Sequence, residues 1–241
     1  MIRFSCLLTV TALLAGAGEA QEAVPDALLA EQQPPGAEMS PAEVAQTGSL
    51  GWLQAQSDFA LEFRDAGRIT LAPGGVIAVD PLTWSDAWDL PWIEVPAGEA
   101  RFLLALDQDE GRVSKALLVF SDAAPTCGDD VATIPVDTGL AGFFDRSMAA
   151  AVTRSAGILG PEKDLYNGWF DRMIGEVWVV GHILPLPDKT LIPIASSGWG
   201  DGGYPVARLR SATGETVALF ADFMGKNAEG DWLLPPDCGT S

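Results

Sequence analysis

The pattern of hydrophobic and polar residues predicts a domain built mainly from β-strands. From Ser49 onward, apolar runs of strand length alternate with turn sequences rich in Gly, Asp and Pro. One predicted hairpin joins Arg101–Asp107 to Arg112–Phe120 through Gln-Asp-Glu-Gly. Another joins Tyr204–Leu209 to Val217–Phe223 through Ala-Thr-Gly-Glu. Because hairpins pair neighbouring strands in opposite directions, we expect a largely antiparallel sheet.

Other segments complete this prediction. Further strands are expected at Trp52–Ala55, Phe59–Phe63, Gly74–Pro81, Val131–Thr138, Glu176–Val180 and Thr190–Ala195. Segment Phe143–Ala156 has helical spacing instead, with Asp145 placed to cap its N-terminus and Gly157 to end it. Glu162–Met173 fits either a second helix or an irregular loop, with Trp169 and Phe170 facing inward. The predicted fold class is α+β, a largely antiparallel β-rich domain with one or two inserted helices.

The first 48 residues differ in composition from the rest. Residues 1–20 combine a basic Arg3, an apolar stretch and a final Gly-Glu-Ala. This pattern predicts a secretory signal cleaved after Ala20, with an uncleaved N-terminal anchor as the alternative. Residues 21–48 hold few large apolar residues and include Gln-Gln-Pro-Pro-Gly, which predicts a flexible linker. We therefore expect a single globular domain over residues 49–241, in a periplasmic or secreted protein.

The cysteines also bear on the expectation that the protein is exported. Removal of the predicted signal, which contains Cys6, leaves Cys127 and Cys238. Two cysteines in an exported chain most simply form one disulfide, and two free thiols are the alternative that the sequence leaves open.

The charge of the chain narrows the range of partners. The formal net charge is −19 at pH 7. Such a surface repels the phosphates of nucleic acids and the anionic head groups of lipids. We therefore expect no nucleic-acid partner, and no membrane attachment once the signal is cleaved.

A glycine-rich stretch stands out between two predicted strands. Residues Ser196–Tyr204 read Ser-Ser-Gly-Trp-Gly-Asp-Gly-Gly-Tyr. A hairpin needs only two residues to turn, so these glycines indicate positive φ angles or a close approach of the backbone to another segment. The aspartate and the two aromatic residues among them point to a shaped recognition surface. The alternative is that the glycine motif only closes a barrel-like sheet and that no site exists there.

Four segments, in order along the chain, resemble segments of a known protein family. They are Gly75–Pro81, the turn Pro96–Gly98 with strand Arg101–Leu106, the segment Val136–Gly139 with Phe144–Asp145, and Ser197–Tyr204 with Ala221–Phe223. Together they resemble the bacterial family catalogued as domain of unknown function 4241, over roughly Gly75 to Phe223. The Gly202–Gly203 pair departs from that family's pattern, and fits it only if Gly203 is the variable position. The family has no established activity, so the resemblance implies a fold and candidate positions, and no reaction.

The candidate binding residues lie within these segments and the glycine-rich stretch. They are Asp80, Asp137, Asp145, Ser197, Trp199, Asp201, Tyr204 and Asp222. The five aspartates follow strands or lie beside glycines. If they converge, they could hold a hard cation such as Ca²⁺ or Mg²⁺ and support metal-assisted hydrolysis. The alternative is that they cap turns and a helix through backbone N–H groups.

Other catalytic sets are missing from the sequence. His182 is the single histidine, so a site with several histidines cannot form, and its apolar surroundings favour a structural role. No nucleophile elbow, phosphate-binding loop or dinucleotide fingerprint occurs. Whether the protein is an enzyme therefore stays open.

Aromatic residues offer a second recognition surface. Trp84, Trp88 and Trp92 lie close together with Asp86 and Asp89 in a segment that contains a proline. Such a loop could grip a sugar, a cationic peptide or a protein, and the alternative is that the tryptophans close the core.

These observations favour an exported, non-enzymatic binding or interaction protein, whose partner is a protein, a peptide or a carbohydrate and which needs no cofactor. A metal-dependent hydrolase that uses a cluster of aspartates with Ca²⁺ or Mg²⁺ is the alternative.

Overall fold

The computed structural model describes residues 36–85, 89–162, 164–170, 181–226, 230, 232 and 234–239. The predicted signal, the predicted strand Glu176–Val180 and Trp88 lie outside the described residues. The strands are β1 (Ala37–Glu38), β2 (Leu61–Leu71), β3 (Val76–Val79), β4 (Gly98–Asp107), β5 (Val113–Val119), β6 (Pro125–Val136), β7 (Leu140–Asp145), β8 (Gly181–Pro185), β9 (Leu191–Ser196), β10 (Gly202–Ser211) and β11 (Thr216–Asp222). The helices are α1 (Pro41–Gln46), α2 (Gly48–Gln56) and α3 (Arg146–Leu159), and Tyr166–Phe170 forms a π-helical turn.

The strands form two antiparallel sheets, which confirms the predicted β-rich α+β class. The larger sheet has the order β1-β2-β4-β5-β11-β10-β6, and the smaller one has the order β3-β7-β9-β8. Both predicted hairpins, β4–β5 and β10–β11, are present as antiparallel neighbours. The sheets pack against each other through a core that includes Phe102 and Leu104 of β4 and Ile192 and Ile194 of β9.

The larger sheet is also covered on its other face. Leu103 and Ala105 of β4 point away from the smaller sheet and pack in a second core with Leu50 and Leu53 of α2. With both faces covered, every residue of β5 is buried. This double burial explains why the second half of β5, Ala116–Val119, is continuously apolar instead of alternating.

The N-terminal part of the described chain differs from the expectation. Trp52–Ala55 was expected as a strand, but it lies in α2, where Leu50 and Leu53 bury one face of the helix. A four-residue apolar run cannot distinguish a strand from a helix by periodicity, and this prediction was wrong for that reason. Upstream of Ser49, in the segment expected as linker, β1 pairs with β2 and α1 begins at a capping box formed by Ser40 and Glu43.

Helix α3 confirms one detail of the sequence analysis and corrects two others. The side chain of Asp145 caps the helix by accepting from the backbone N–H of Met148 at 2.8 Å. The residues before it, Phe143 and Phe144, belong to β7 and not to the helix. Gly157 does not end the helix. The chain leaves it at Gly160, whose φ of 86° is a conformation that favours glycine.

The disulfide is present. Cys127 in β6 is bonded to Cys238, 111 residues further along the chain. The backbone N–H of Gly128 also donates to the carbonyl of Pro236, so the C-terminal segment is tied to β6 twice. Within the described residues, no helix is long and apolar enough to cross a membrane.

Candidate functional site

The glycine-rich loop connects β9 to β10 and rests on the turn between β6 and β7. The backbone N–H of Ser197 donates to the carbonyl of Gly139 in that turn, at 3.0 Å. Gly198 has a φ of 60°, and a Cβ at this position would lie 2.5 Å from the carbonyl oxygen of Val113. Only glycine fits this combination of positive φ and close approach to β5. The loop is therefore fixed against two other segments of the fold.

Two buried hydroxyl groups brace the loop from inside. The Oγ of Ser197 donates to the carbonyl of Gly200 at 2.6 Å, and the hydroxyl of Tyr204 donates to the same carbonyl at 2.9 Å. The ring of Tyr204 packs edge-on against Phe223 and Trp232. Burial raises the pKa of the Tyr204 phenol, and the charge of Asp201 acts in the same direction, so the hydroxyl stays protonated and able to donate.

The braced loop presents Trp199 to solvent. This side chain is 56% exposed, which is unusual for a tryptophan. The guanidinium of Arg112 lies 5.1 Å from the centre of its ring and donates to the carbonyl of Gly198 at 3.0 Å. Arg112 thus contacts both the ring and the backbone of the loop, and the result is an exposed aromatic side chain on a fixed support.

Asp80 is a fully buried connector. Its carboxylate accepts from the backbone N–H groups of Leu82, Asp137 and Thr138 at 2.8–3.0 Å, and from the hydroxyl of Thr138. It therefore ties the end of β3 to the β6–β7 turn, which in turn accepts the hydrogen bond from Ser197. The first, third and fourth of the resembling segments are linked through these contacts.

Asp145 and Asp222 are also buried and engaged. Besides capping α3, Asp145 accepts from the backbone N–H of Ala72 at 2.6 Å. Asp222 accepts from the backbone N–H of Gly225 at 2.7 Å and forms an ion pair with Lys115 at 2.8 Å. Both charges of that pair are almost completely removed from water.

The remaining two aspartates are exposed and occupy facing positions in the register of β6 and β10. Gly202 of β10 pairs with Val136 of β6 in the antiparallel ladder. The next positions, Asp201 and Asp137, therefore face each other just beyond the last paired residues, and both are exposed. They lie beside the loop that carries Trp199.

The aspartates thus separate into three buried connectors and one exposed pair. Across the described ranges, no group of three or more His, Cys, Asp or Glu side chains is placed to hold a metal ion. The converging set of carboxylates that the hydrolase alternative requires is therefore not formed in this part of the chain. Each buried carboxylate is occupied by backbone N–H groups, a hydroxyl or a lysine instead.

The sequence analysis did not identify three cationic side chains that contact a buried aspartate or a tryptophan ring. Lys115 pairs with Asp222, Arg112 contacts Trp199, and the guanidinium of Arg146 lies 4.0 Å from the centre of the Trp92 ring. One signal was available: Lys115 is the only charged residue of a strand that is mostly apolar, and a buried lysine requires an anionic partner. His182, expected to be structural, is buried in β8.

The comparison with known families agrees with the four segments, except that Asp222 and Phe223 at the end of the fourth lie beyond the match. Residues 69–221 match the family model described as a protein of unknown function, DUF4241. The chain belongs to this family. The DUF4241 match begins in β2 and ends in β11, so helices α1 and α2, the glycine-loop neighbour Trp232 and Cys238 lie outside it. No curated protein and no solved structure matches the chain.

Proposed function

We propose that this chain is an exported, non-enzymatic binding protein that recognises a protein, peptide or carbohydrate partner through the surface around Trp199. The observation that carries the proposal is the exposure of Trp199 on a loop whose backbone is held by Ser197, Tyr204 and Arg112. An exposed tryptophan that is already held in place loses little conformational freedom when it binds, which is a property of residues that dominate binding energy.

The surroundings of Trp199 support recognition rather than packing. The exposed carboxylates of Asp201 and Asp137 lie beside the loop, and Arg112, which is also ion-paired with Glu110 at 3.2 Å, contributes a cation. Such a mixture of an aromatic anchor with polar groups of both signs is typical of binding surfaces. The framework beneath it uses the buried aspartates of the family segments, so those residues would keep the surface in shape instead of carrying out chemistry.

The matched experiment compares two exposed hydrophobic residues. Trp199→Ala removes the proposed anchor, and Leu191→Ala removes an unrelated side chain that is 41% exposed on β9. Purified wild type and both variants are assayed against a glycan array and against proteins of the cell envelope. We expect at least tenfold weaker binding for Trp199→Ala and unchanged binding for Leu191→Ala. Equal binding by all three proteins would reject the Trp199 surface.

Export is the second part of the proposal. The disulfide between Cys127 and Cys238 favours an oxidising compartment, because thiols stay reduced in the cytosol. N-terminal sequencing of the protein recovered from the producing cell tests this directly. A mature chain that begins at Gln21 is the expected result, and a cytosolic chain that keeps Met1 would contradict export.

The hydrolase alternative can be tested on the exposed pair. Asp137 and Asp201 would supply two of the six to eight oxygen ligands that Ca²⁺ takes. Thermal unfolding with EDTA, Ca²⁺ or Mg²⁺ reports binding to the native state as a rise in the melting temperature. A rise that disappears in Asp201→Ala would move the hydrolase reading ahead of the binding protein.

A further inference from the structure

A groove runs along the exposed side of α3, apart from the Trp199 surface. It has a volume of about 410 Å³, and its walls are formed by Trp84 and Trp92 on one side and by α3 on the other. Ala149 and Ala150 form a floor without bulky side chains. This volume is within the range of small-ligand sites, which is roughly 300–1,000 Å³.

One cation in the groove forms no ion pair with any of the residues that the structure describes. The guanidinium of Arg146 lies 4.0 Å from the centre of the Trp92 ring, and its Nε lies beside Gly74. Arg154, at the other end of the groove, is already paired with Asp188 at 2.9 Å. On a chain with a net charge of −19, an arginine that forms no ion pair with a described residue is the exception. A guanidinium held against an aromatic face keeps its N–H donors free to bind a carboxylate in a two-pronged arrangement.

The charge that this groove offers to a ligand differs from the charge that the sequence suggested. Trp84, Trp92 and their neighbouring aspartates pointed to a cationic or neutral ligand. Helix α3 places Arg146 over Trp92, so the charge offered to a ligand at that point is positive. Trp92 remains 37% exposed, which leaves part of its ring available for contact.

We propose that this groove binds a carboxylate-bearing sugar, that is, a uronic acid unit. The carboxylate would pair with the free N–H groups of Arg146, and the apolar face of the sugar ring would rest on the tryptophan side chains above the alanine floor. The groove shares no lining residue with the Trp199 loop, so this inference does not depend on the proposed function.

Isothermal titration with sodium D-glucuronate is the direct experiment, and D-glucose is the matched ligand without the carboxylate. The variants are Arg146→Gln and Trp92→Ala. The control is Arg68→Gln, which removes an exposed arginine elsewhere that is paired with Glu99. We expect glucuronate to bind wild type and Arg68→Gln equally, with at least tenfold loss in Arg146→Gln and Trp92→Ala. Binding should also weaken as sodium chloride is raised.

Several outcomes would overturn the inference. If glucose binds as tightly as glucuronate, or if Arg146→Gln binds glucuronate as tightly as wild type does, the carboxylate does not contribute to binding. If acetate competes as strongly as glucuronate, the sugar ring does not contribute to binding. Absence of glucuronate binding up to millimolar concentration rejects the site. Trp199→Ala should bind glucuronate normally, so failure of the proposed function would be visible separately.

Discussion

The aspartates of the resembling segments divide into a buried group and an exposed group. Asp80, Asp145 and Asp222 are buried, and their carboxylates accept from backbone N–H groups of other segments. Asp137 and Asp201 come from the same segments but expose their side chains. In the sequence all five look alike, because each follows a strand or lies beside a glycine. The comparison shows that an aspartate at a strand end has one of two roles. A buried aspartate stabilises the fold through backbone hydrogen bonds, whereas an exposed one is available to a partner.

The buried group has a common physical task. A strand that ends inside the molecule leaves backbone N–H groups that need an acceptor, and an unpaired buried N–H group is costly. The carboxylate of Asp80 satisfies three such groups at once, and that of Asp145 satisfies two. Side-chain replacements should therefore separate the two groups by their effect on stability.

The largest effect is expected for Asp222→Ala. This change leaves the buried ammonium of Lys115 without its counter-charge, which costs about 3–5 kcal/mol of unfolding free energy in comparable sites. Urea unfolding of wild type and variant measures the loss. The double variant Asp222→Leu with Lys115→Met removes both charges and should be clearly more stable than Asp222→Ala. A loss below 1 kcal/mol for the single variant would contradict a buried, paired charge.

A slightly smaller effect is expected for Asp80→Ala. The change leaves three backbone N–H groups and the hydroxyl of Thr138 without their acceptor, and we expect a loss of about 2–4 kcal/mol, limited by water entering the gap. Thr138→Val, which removes one hydroxyl and keeps the carboxylate, serves as control with a loss of about 1 kcal/mol. Both are measured by thermal and urea unfolding. Equal losses for the two variants would mean that the backbone contacts of Asp80 contribute little.

An intermediate, pH-dependent effect is expected for Asp129→Asn. The hydrogen bond from Arg210, together with that from Arg208, lowers the pKa of the half-buried Asp129 carboxyl. Because the folded state then binds the proton less readily than the unfolded state, the stabilisation is complete above the ordinary pKa near 4 and is lost as the pH falls below it. We expect a loss of about 1 kcal/mol at pH 7, since these groups are partly solvated.

The measurement is the difference in melting temperature between wild type and Asp129→Asn at pH 7, 5 and 3. It should be present at pH 7 and 5 and shrink at pH 3. Asp130→Asn, which changes the exposed neighbouring residue, is the control and should show no such trend. A difference that grows as the pH falls would have the wrong sign for a lowered pKa.

The smallest effect on stability is expected at the exposed pair. Asp137→Asn and Asp201→Asn keep the backbone N–H of residue 137 that Asp80 accepts from, and exposed replacements of this kind usually change stability by less than about 0.5 kcal/mol. Their effect should appear in partner binding, measured with the same array as Trp199→Ala. A loss of several kcal/mol in either variant would place these side chains in the framework and remove the contrast between the two groups.

Much of the fold could be predicted because it depends on local signals. The hairpin turns at Gln108–Gly111 and Ala212–Glu215 and the helix cap at Asp145 depend on residues close in sequence, and all three are present. The identity of α2 was missed because its strand-length run Trp52–Ala55 carries no period of its own. What makes this segment a helix is the second core on the outer face of the larger sheet, to which Leu50 and Leu53 contribute.

The sequence by itself determined the β-rich class, the pair of cysteines, the strong negative charge and the unusual glycine-rich loop. These follow from composition and from short-range patterns that hold whatever the chain packs against. The tertiary structure alone decided which aspartates are buried, that Arg112 supports Trp199, and that Arg146 lies over the ring of Trp92. Each of these pairs residues that lie far apart in sequence, and the free energy of a charge depends on its burial and on its neighbours in space.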